Sequence, residues 1–169
     1  MRSAAALVVL GSVLTGCAVR AGGQTSLMPG YPSDVVVEAR VAHDLGGRSI
    51  GVTSRARRGS GRFDLGLGVE ACARRDLILA FLQACGRVFP LDLGRRARRF
   101  DFGLFSPAAG PGLLIPLRQE SSSQLGTPMS MEVYALEIQV WGGLDVRPLQ
   151  DRVAQPYLSV SLGFVYLDF

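Results

Sequence analysis

From Asp34 onward, apolar side chains return at every second position rather than every third or fourth. Val35, Val37, Ala39 and Val41 alternate with Val36, Glu38, Arg40 and Ala42, and Phe63, Leu65, Leu67, Val69 and Ala71 with Asp64, Gly66, Gly68, Glu70 and Cys72. Phe100, Phe102 and Leu104 alternate with Asp101, Gly103 and Phe105; Tyr134, Leu136, Ile138 and Val140 with Val133, Ala135, Glu137 and Gln139. The last run sets Leu158, Val160, Leu162, Phe164 and Tyr166 against Ser159, Ser161, Gly163, Val165 and Leu167. A period of two is the signature of a pleated strand, whose successive side chains point to opposite faces. Weaker runs at 48–56, 77–86 and 112–118 raise the expected total to about eight strands. Turn-forming residues punctuate them, at Asp44-Leu45-Gly46-Gly47, Arg58-Gly59-Ser60-Gly61, Pro107 to Gly112, Ser121 to Pro128 and from Gly142-Gly143. The predicted fold class is all-β: a single antiparallel barrel of about eight strands over residues 34–169. A soluble β-sandwich or lipocalin-like barrel is the alternative.

One segment departs from the pattern. Asp76 could cap a helix running from Leu77 to Cys85, with Gly86 as its terminator. Such a helix would be apolar on every face and would need burial all round, which a small β-domain rarely offers. A strand over 76–86 is therefore expected. Residues 18–33 lack periodicity and hold Gly22-Gly23, Pro29, Pro32 and several hydroxyl residues. They read as a flexible tether.

Alternation alone does not say which face is inside. In a soluble sandwich the apolar face is the core; in a membrane barrel it meets lipid, and the lumen holds polar and small residues. The non-apolar face here carries Gly66, Gly68, Gly103, Gly163, Ser159 and Ser161. Glycine in a strand marks a crowded place, and the interior of an eight-stranded barrel is crowded. Glu38, Arg40, Asp64, Glu70, Asp101 and Glu137 stand among them, and charges confined to a narrow lumen must pair. Against this, the longer connections read at 88–99, 119–130 and 143–156 do not all fall on one side. The membrane barrel is the reading adopted. The soluble alternative requires Phe63, Leu65, Leu67, Tyr134, Leu136 and Ile138 to line a core or cavity.

The first residues locate the protein. Met1-Arg2 supplies a positive charge, Ala4 to Leu14 is apolar or small, and Leu14-Thr15-Gly16-Cys17 closes the run. The run is far below the ~20 residues of a spanning helix, so it is a processing signal. It resembles the lipobox of bacterial lipoproteins. The resemblance implies cleavage before Cys17, lipid attachment there, and residues 1–16 as signal peptide, 17–33 as a lipid-anchored tether and 34–169 as the barrel domain. Ala18 in place of aspartate implies sorting to the outer membrane of a diderm (Gram-negative) envelope, at its periplasmic face or the cell surface. The alternative is an ordinary secretory signal cut after Ala21, with Val19 and Ala21 as the small flanking residues. At the other end, Tyr157 to Phe169 resembles the terminal signal of outer-membrane barrels. Leu167 and Val165 fit that pattern, while Gly163 and Ser161 do not.

Composition adds little that is functional. All 18 basic residues are arginine, and the chain has no lysine and no asparagine, which reads as GC-rich codon usage. The net charge of +4 is not organised for nucleic acid, because the pairs Arg57-Arg58, Arg74-Arg75, Arg95-Arg96 and Arg98-Arg99 lack interleaved aromatic platforms. They read as solvated loop ends, with anionic lipid headgroups as the sharper alternative. Of the cysteines, Cys72 and Cys85 form an even pair in an exported chain. A hairpin of 63–73 with 77–87 would place Cys85 opposite residue 65, about 23 Å from Cys72, beyond the ~7 Å reach of a disulfide. The tight hairpin is preferred to the bridge.

No catalytic constellation emerges, and the chain is not expected to be an enzyme. His43, the only histidine, is followed by Asp44 before a Gly-Gly turn; it reads as a turn residue, with a base acting on a serine as the alternative. Asp64 and Glu70 share a face but lie ~20 Å apart along a strand. No metal spacing is present, Gly66-Leu67-Gly68 lacks a dinucleotide fingerprint, and no cofactor is implied. Trp141 fits an interfacial anchor or a core residue equally. The expected partners are membrane lipids, the lipoprotein-processing and outer-membrane assembly machinery, and an envelope protein in the soluble alternative. The expected role is structural or surface-presenting.

Overall fold

The computed structural model describes residues 16–27, 33–45, 47–59, 62–96, 99–122, 130–147 and 154–168, with side chains except at 95–96, 99–102, 104, 121–122, 130–131 and 168. The strands are β1 (Gly16–Ser26), β2 (Asp34–Asp44), β3 (Arg48–Gly59), β4 (Arg62–Asp76), β5 (Phe81–Arg96), β6 (Arg99–Ser122), β7 (Ser130–Val146) and β8 (Ala154–Asp168). Each pairs antiparallel with its sequence neighbours, and β8 closes on β1 to complete an eight-stranded barrel. Closure removes the free edges that an open sheet would leave. β1 begins and β8 finishes at one end, hereafter the terminal rim. The connections at 45–47, 77–80 and 123–129 share that rim, and those at 27–33, 60–61, 97–98 and 147–153 lie at the opposite rim.

Several sequence expectations are corrected. The tether reading of residues 17–33 fails over its first part, because 16–26 form β1. Gly16↔Ala42 to Gln24↔Asp34 pair with β2, and Gly16↔Leu167 to Ser26↔Tyr157 pair with β8. The outward row Cys17, Val19, Ala21, Gly23 and Thr25 is too weakly apolar to register as alternation, so ladders supplied by both neighbours decide the conformation. Gly22 permits the fit: a Cβ there would lie 2.0 Å from the Val160 carbonyl oxygen.

The long connection read at 88–99 is strand up to Arg96 and again from Arg99. The connections at 123–129 and 147–153 still fall on opposite rims, so the objection from loop lengths is narrowed by one member and not removed. Segment 76–86 is a turn at 77–80, closed by the Leu77 amide donating to the Ala80 carbonyl at 2.8 Å, and then strand. This turn lies further along the chain than the position read near Arg75. It brings Cys72 opposite Cys85, with Cα atoms 4.1 Å apart and a disulfide between them. Hairpin and bridge coexist.

A bulge then re-aims β5. The β4–β5 register shifts between Leu67 and Val69, where Phe89 and Pro90 of β5 lie across from Gly68 alone. Pro90 has no amide to give the ladder, and Phe105, on the facing stretch of β6, takes a left-handed φ of 53°. The inward set of β5 consequently changes from Gln83, Cys85, Arg87 and Phe89 to Asp92 and Gly94.

Candidate functional site: the lumen and the outer wall

The polar and apolar faces are inverted relative to a soluble protein. Val35, Val52, Leu65, Leu67, Leu93, Leu158 and Phe164 are exposed, Leu67 at 63 % and Phe164 at 67 %, whereas Arg20, Glu38, Arg57, Asp64, Glu70 and Glu137 are buried. Phe63, Tyr134 and Ile138 are likewise exposed, so they do not line the core or cavity that the soluble alternative requires of them. Tyr134 and Tyr166 pack against each other on the outer wall near the terminal rim, ring centroids 5.1 Å apart.

The interior is filled in layers. At the terminal rim, Ala18, Leu114, Val133, Ala135, Val165 and Leu167 form an apolar plug against which Phe81 packs. Val165 and Leu167, which carried the resemblance to the terminal barrel signal, therefore face inward; the outward set is Leu158 to Tyr166. Alongside the plug, a cavity of about 10 Å³ lined in part by Gly16, Arg40, Ala42 and Ser49 has room for about one water molecule.

Above the plug lies a first ionic layer. Arg20 binds Glu70 through both terminal nitrogens, at 2.9 and 3.0 Å, and its Nε donates to Glu137 at 2.5 Å. Arg40 lies 3.2 Å from Glu70, and Arg87 donates to Glu38 at 2.6 Å. Three arginines thus face three glutamates, and the layer is neutral. Gln83 donates to Glu137 and to Gln139. Gln139 in turn donates to the Gly110 carbonyl at 3.1 Å, covering a stretch where the β6–β7 ladder is interrupted at Gly110-Pro111.

Next comes an aromatic layer. The Arg87 guanidinium lies 3.9 Å over Trp141 and 5.3 Å over Phe89, and the Arg55 guanidinium lies 4.0 Å over Phe89. Trp141 is fully buried, which settles it as a lumen residue and not an interfacial anchor. Phe89 fits because Gly68 is a glycine: a Cβ there would sit 2.8 Å from the Phe89 ring and 2.4 Å from the Val88 carbonyl oxygen.

A second ionic layer closes the opposite end. Arg55 binds Asp92. Arg57 donates to Asp64 at 2.9 Å and to Asp145 at 2.8 Å. Arg62 reaches the same two carboxylates at 2.5 and 3.0 Å, and Arg147 lies 3.1 Å from Asp64. Isolated charges would be very costly here, and mutual pairing is what makes their burial tolerable.

Of the six lumen charges read from the sequence, Glu38, Arg40, Asp64, Glu70 and Glu137 are interior and engaged; the side chain of Asp101 lies outside the described residues. Arg20, Arg55, Arg57, Arg87, Asp92 and Asp145 escaped the sequence reading. Arg20 lies in the stretch that reads as a tether, and Arg57 reads with Arg58 as a solvated loop end, whereas it is buried. The signal available was parity: Arg55 and Arg57 continue the inward positions of a strand whose outward members are Val52, Ser54 and Ala56.

Cys17 is exposed and points outward from β1 beside the terminal rim. His43 is half-buried at the terminal end of β2, paired with Ile50. Among the described residues, Glu70, Cys72 and Cys85 are grouped closely enough to hold a metal ion, but both sulfurs are committed to the disulfide and are not thiolates.

Comparison with solved structures agrees with this architecture. The chain is similar in fold to the crystal structure of Neisserial surface protein A, with a TM-score of 0.60, 12 % identity, and coverage of 92 % of this chain and 96 % of that one. No protein-family model matches the chain, and no curated protein sequence matches it.

Proposed function

We propose that this chain is a small outer-membrane barrel, anchored additionally by lipid at Cys17, with a structural or surface-presenting role in the cell envelope. The observation that carries this reading is the inverted wall: a belt of exposed Val, Leu and Phe around a lumen of paired arginines and carboxylates. That arrangement is stable against hydrocarbon and unfavourable against water. The likeness to a Neisserial surface protein supports the location.

The geometry also bears on processing. Cleavage before Cys17 removes only Gly16 from β1 and keeps Arg20, which binds three glutamates of the first ionic layer. Cleavage after Ala21 would remove half of β1 and leave those glutamates without it. Acyl chains on Cys17 would leave the wall directly into the surrounding leaflet, as an extension of the lipid-facing surface. The reading assigns the filled lumen no solute traffic and no catalysis. Its partners are lipids and the processing and assembly machinery of the envelope.

The test is electrophoresis of the detergent-extracted protein in SDS, heated and unheated. A folded membrane barrel migrates differently until boiled, and identical migration would overturn the reading. Mass analysis of the mature N-terminal peptide tests the anchor, with an acylated Cys17 as the expected result. An unmodified peptide beginning elsewhere would remove the anchor and leave the barrel. Replacing His43 by alanine should leave membrane lipid composition unchanged; an altered composition would restore the hydrolase alternative.

A further inference from the structure

The apolar belt does not end level around the terminal rim. On β2 and β3 its last outward members there are Val41 and Ile50; His43, Asp44 and Arg48 stand beyond them, with Leu45 alone among these. On β5 and β6 the belt carries on through Leu82, Leu113 and Ile115 to Leu117. The adjoining turn adds Leu77, Ile78 and Leu79, with Ile78 exposed at 99 % and Leu79 at 84 %. Turn tips are ordinarily built of glycine, proline and polar residues. A contiguous exposed apolar patch on one side of a rim marks a surface of interaction.

The register explains the space beside this turn. β5 begins at Phe81, opposite Leu114, so among the described residues β6 has no β5 partner from Ile115 onward. The gap is a cleft of about 400 Å³, lined by Leu77 to Phe81 on one side and Pro116 to Gln119 on the other. Arg118 pairs in register with Tyr134, and Tyr134 with Tyr166. The polar end of the cleft thus shares a row with the tyrosine pair of the outer wall, and tyrosines mark the boundary of headgroup and acyl chain. An unpaired strand edge points to the same depth, because it is not tolerated in the hydrocarbon proper. The charge of Arg118 is met by Glu120, so what the cleft offers a ligand is apolar surface.

We propose that this cleft seats the upper part of one acyl chain of a bilayer lipid. The belt that faces lipid runs into it without a polar break, through Leu82, Leu113 and Ile115. Its volume has room for roughly a dozen methylene groups, each taken at about the 30 Å³ share of a water molecule. β5 lies directly across the closed ring of strands from β1, so any chains on Cys17 leave from the far side and the occupant is a free lipid. A second copy does not fit. Pairing its β6 edge antiparallel to this one needs a two-fold axis through the wall, which would invert the partner in the bilayer. The site rests on the membrane-barrel reading, and it predicts lipid contact on one side of the rim that this reading alone does not.

The processed protein is reconstituted in phosphatidylcholine bilayers brominated either near the headgroup end or near the middle of one acyl chain. Tryptophan quenching is then read for L117W, L162W and L45W. Wild type supplies the background of Trp141, which the lumen encloses. L162W, in the middle of the belt, should be quenched by the mid-chain bromines. L117W should be quenched by those near the headgroup, and L45W, on the same rim beside β2 and β3, about threefold less. Adding I78D and L79D to L117W should bring its quenching down to the L45W level. The heat-dependent SDS shift reports folding in every sample. A folded L162W that neither lipid quenches overturns the membrane-barrel reading and the cleft with it. An unquenched L117W beside a quenched L162W overturns the cleft alone. So does equal quenching of L45W and L117W, or quenching of L117W that survives I78D and L79D in full.

Discussion

Arg20 leaves β1 three positions after Cys17 and reaches the middle of the lumen, where Glu70, Glu137 and Glu38 surround it. Replacing it with methionine keeps most of its volume but leaves buried carboxylates without their cation. Loss of one partner from a buried pair costs about 3–5 kcal/mol, so R20M should unfold at markedly lower urea than wild type when titrated in lipid vesicles. Gly68 makes the opposite kind of demand, for emptiness. G68V would drive a branched side chain into the Phe89 ring and the Val88 carbonyl, and overpacking of this kind costs about 1–3 kcal/mol. The expected result is a lower urea midpoint with the barrel still heat-shiftable. These residues also mark what was legible at this scale. Glu38, Glu70 and Gly68 could be placed inside because they interrupt clear apolar alternation. Arg57 could not, because its neighbour Arg58 made the pair look like a loop.

The β4–β5 hairpin is the element where local reading went furthest astray. Its register depends on where the turn lies, and Leu77 to Ala80 carry none of the glycine, proline or asparagine that usually mark one. A small displacement of the turn moved Cys85 from opposite residue 65 to opposite Cys72. The resulting bridge closes a separation of 13 residues, worth about 3 kcal/mol in the chain-entropy account. Reduction, or the C72A/C85A variant, should lower the unfolding midpoint accordingly, and a non-reducing peptide map should recover the two cysteines cross-linked. The bulge at Phe89-Pro90 was equally hidden. Its effect, bringing both Phe89 and Asp92 inward, exists only against the neighbouring strands.

At the scale of the whole molecule, the layers of plug, ion pairs and stacked rings leave no continuous passage through the described lumen. Vesicles carrying the protein should therefore show no more swelling in a small sugar than empty vesicles, and a measurable rate would mean that the layers part. The period of two determined by itself that the chain is built of strands, and the glycine, serine and charged positions indicated which face is crowded. Both follow from local rules: a strand alternates its side chains, and only small or paired residues fit a narrow interior. What the tertiary structure alone decided was non-local. It enlisted residues 16–26 as the strand that closes the barrel, because hydrogen bonds from both β2 and β8 outweigh a weak local pattern. It also set the register that joins Cys72 to Cys85, and it matched Arg20, on the first strand, with Glu137 on the seventh. Partners so far apart in the chain are chosen by the geometry of closure, which no run of neighbouring residues contains.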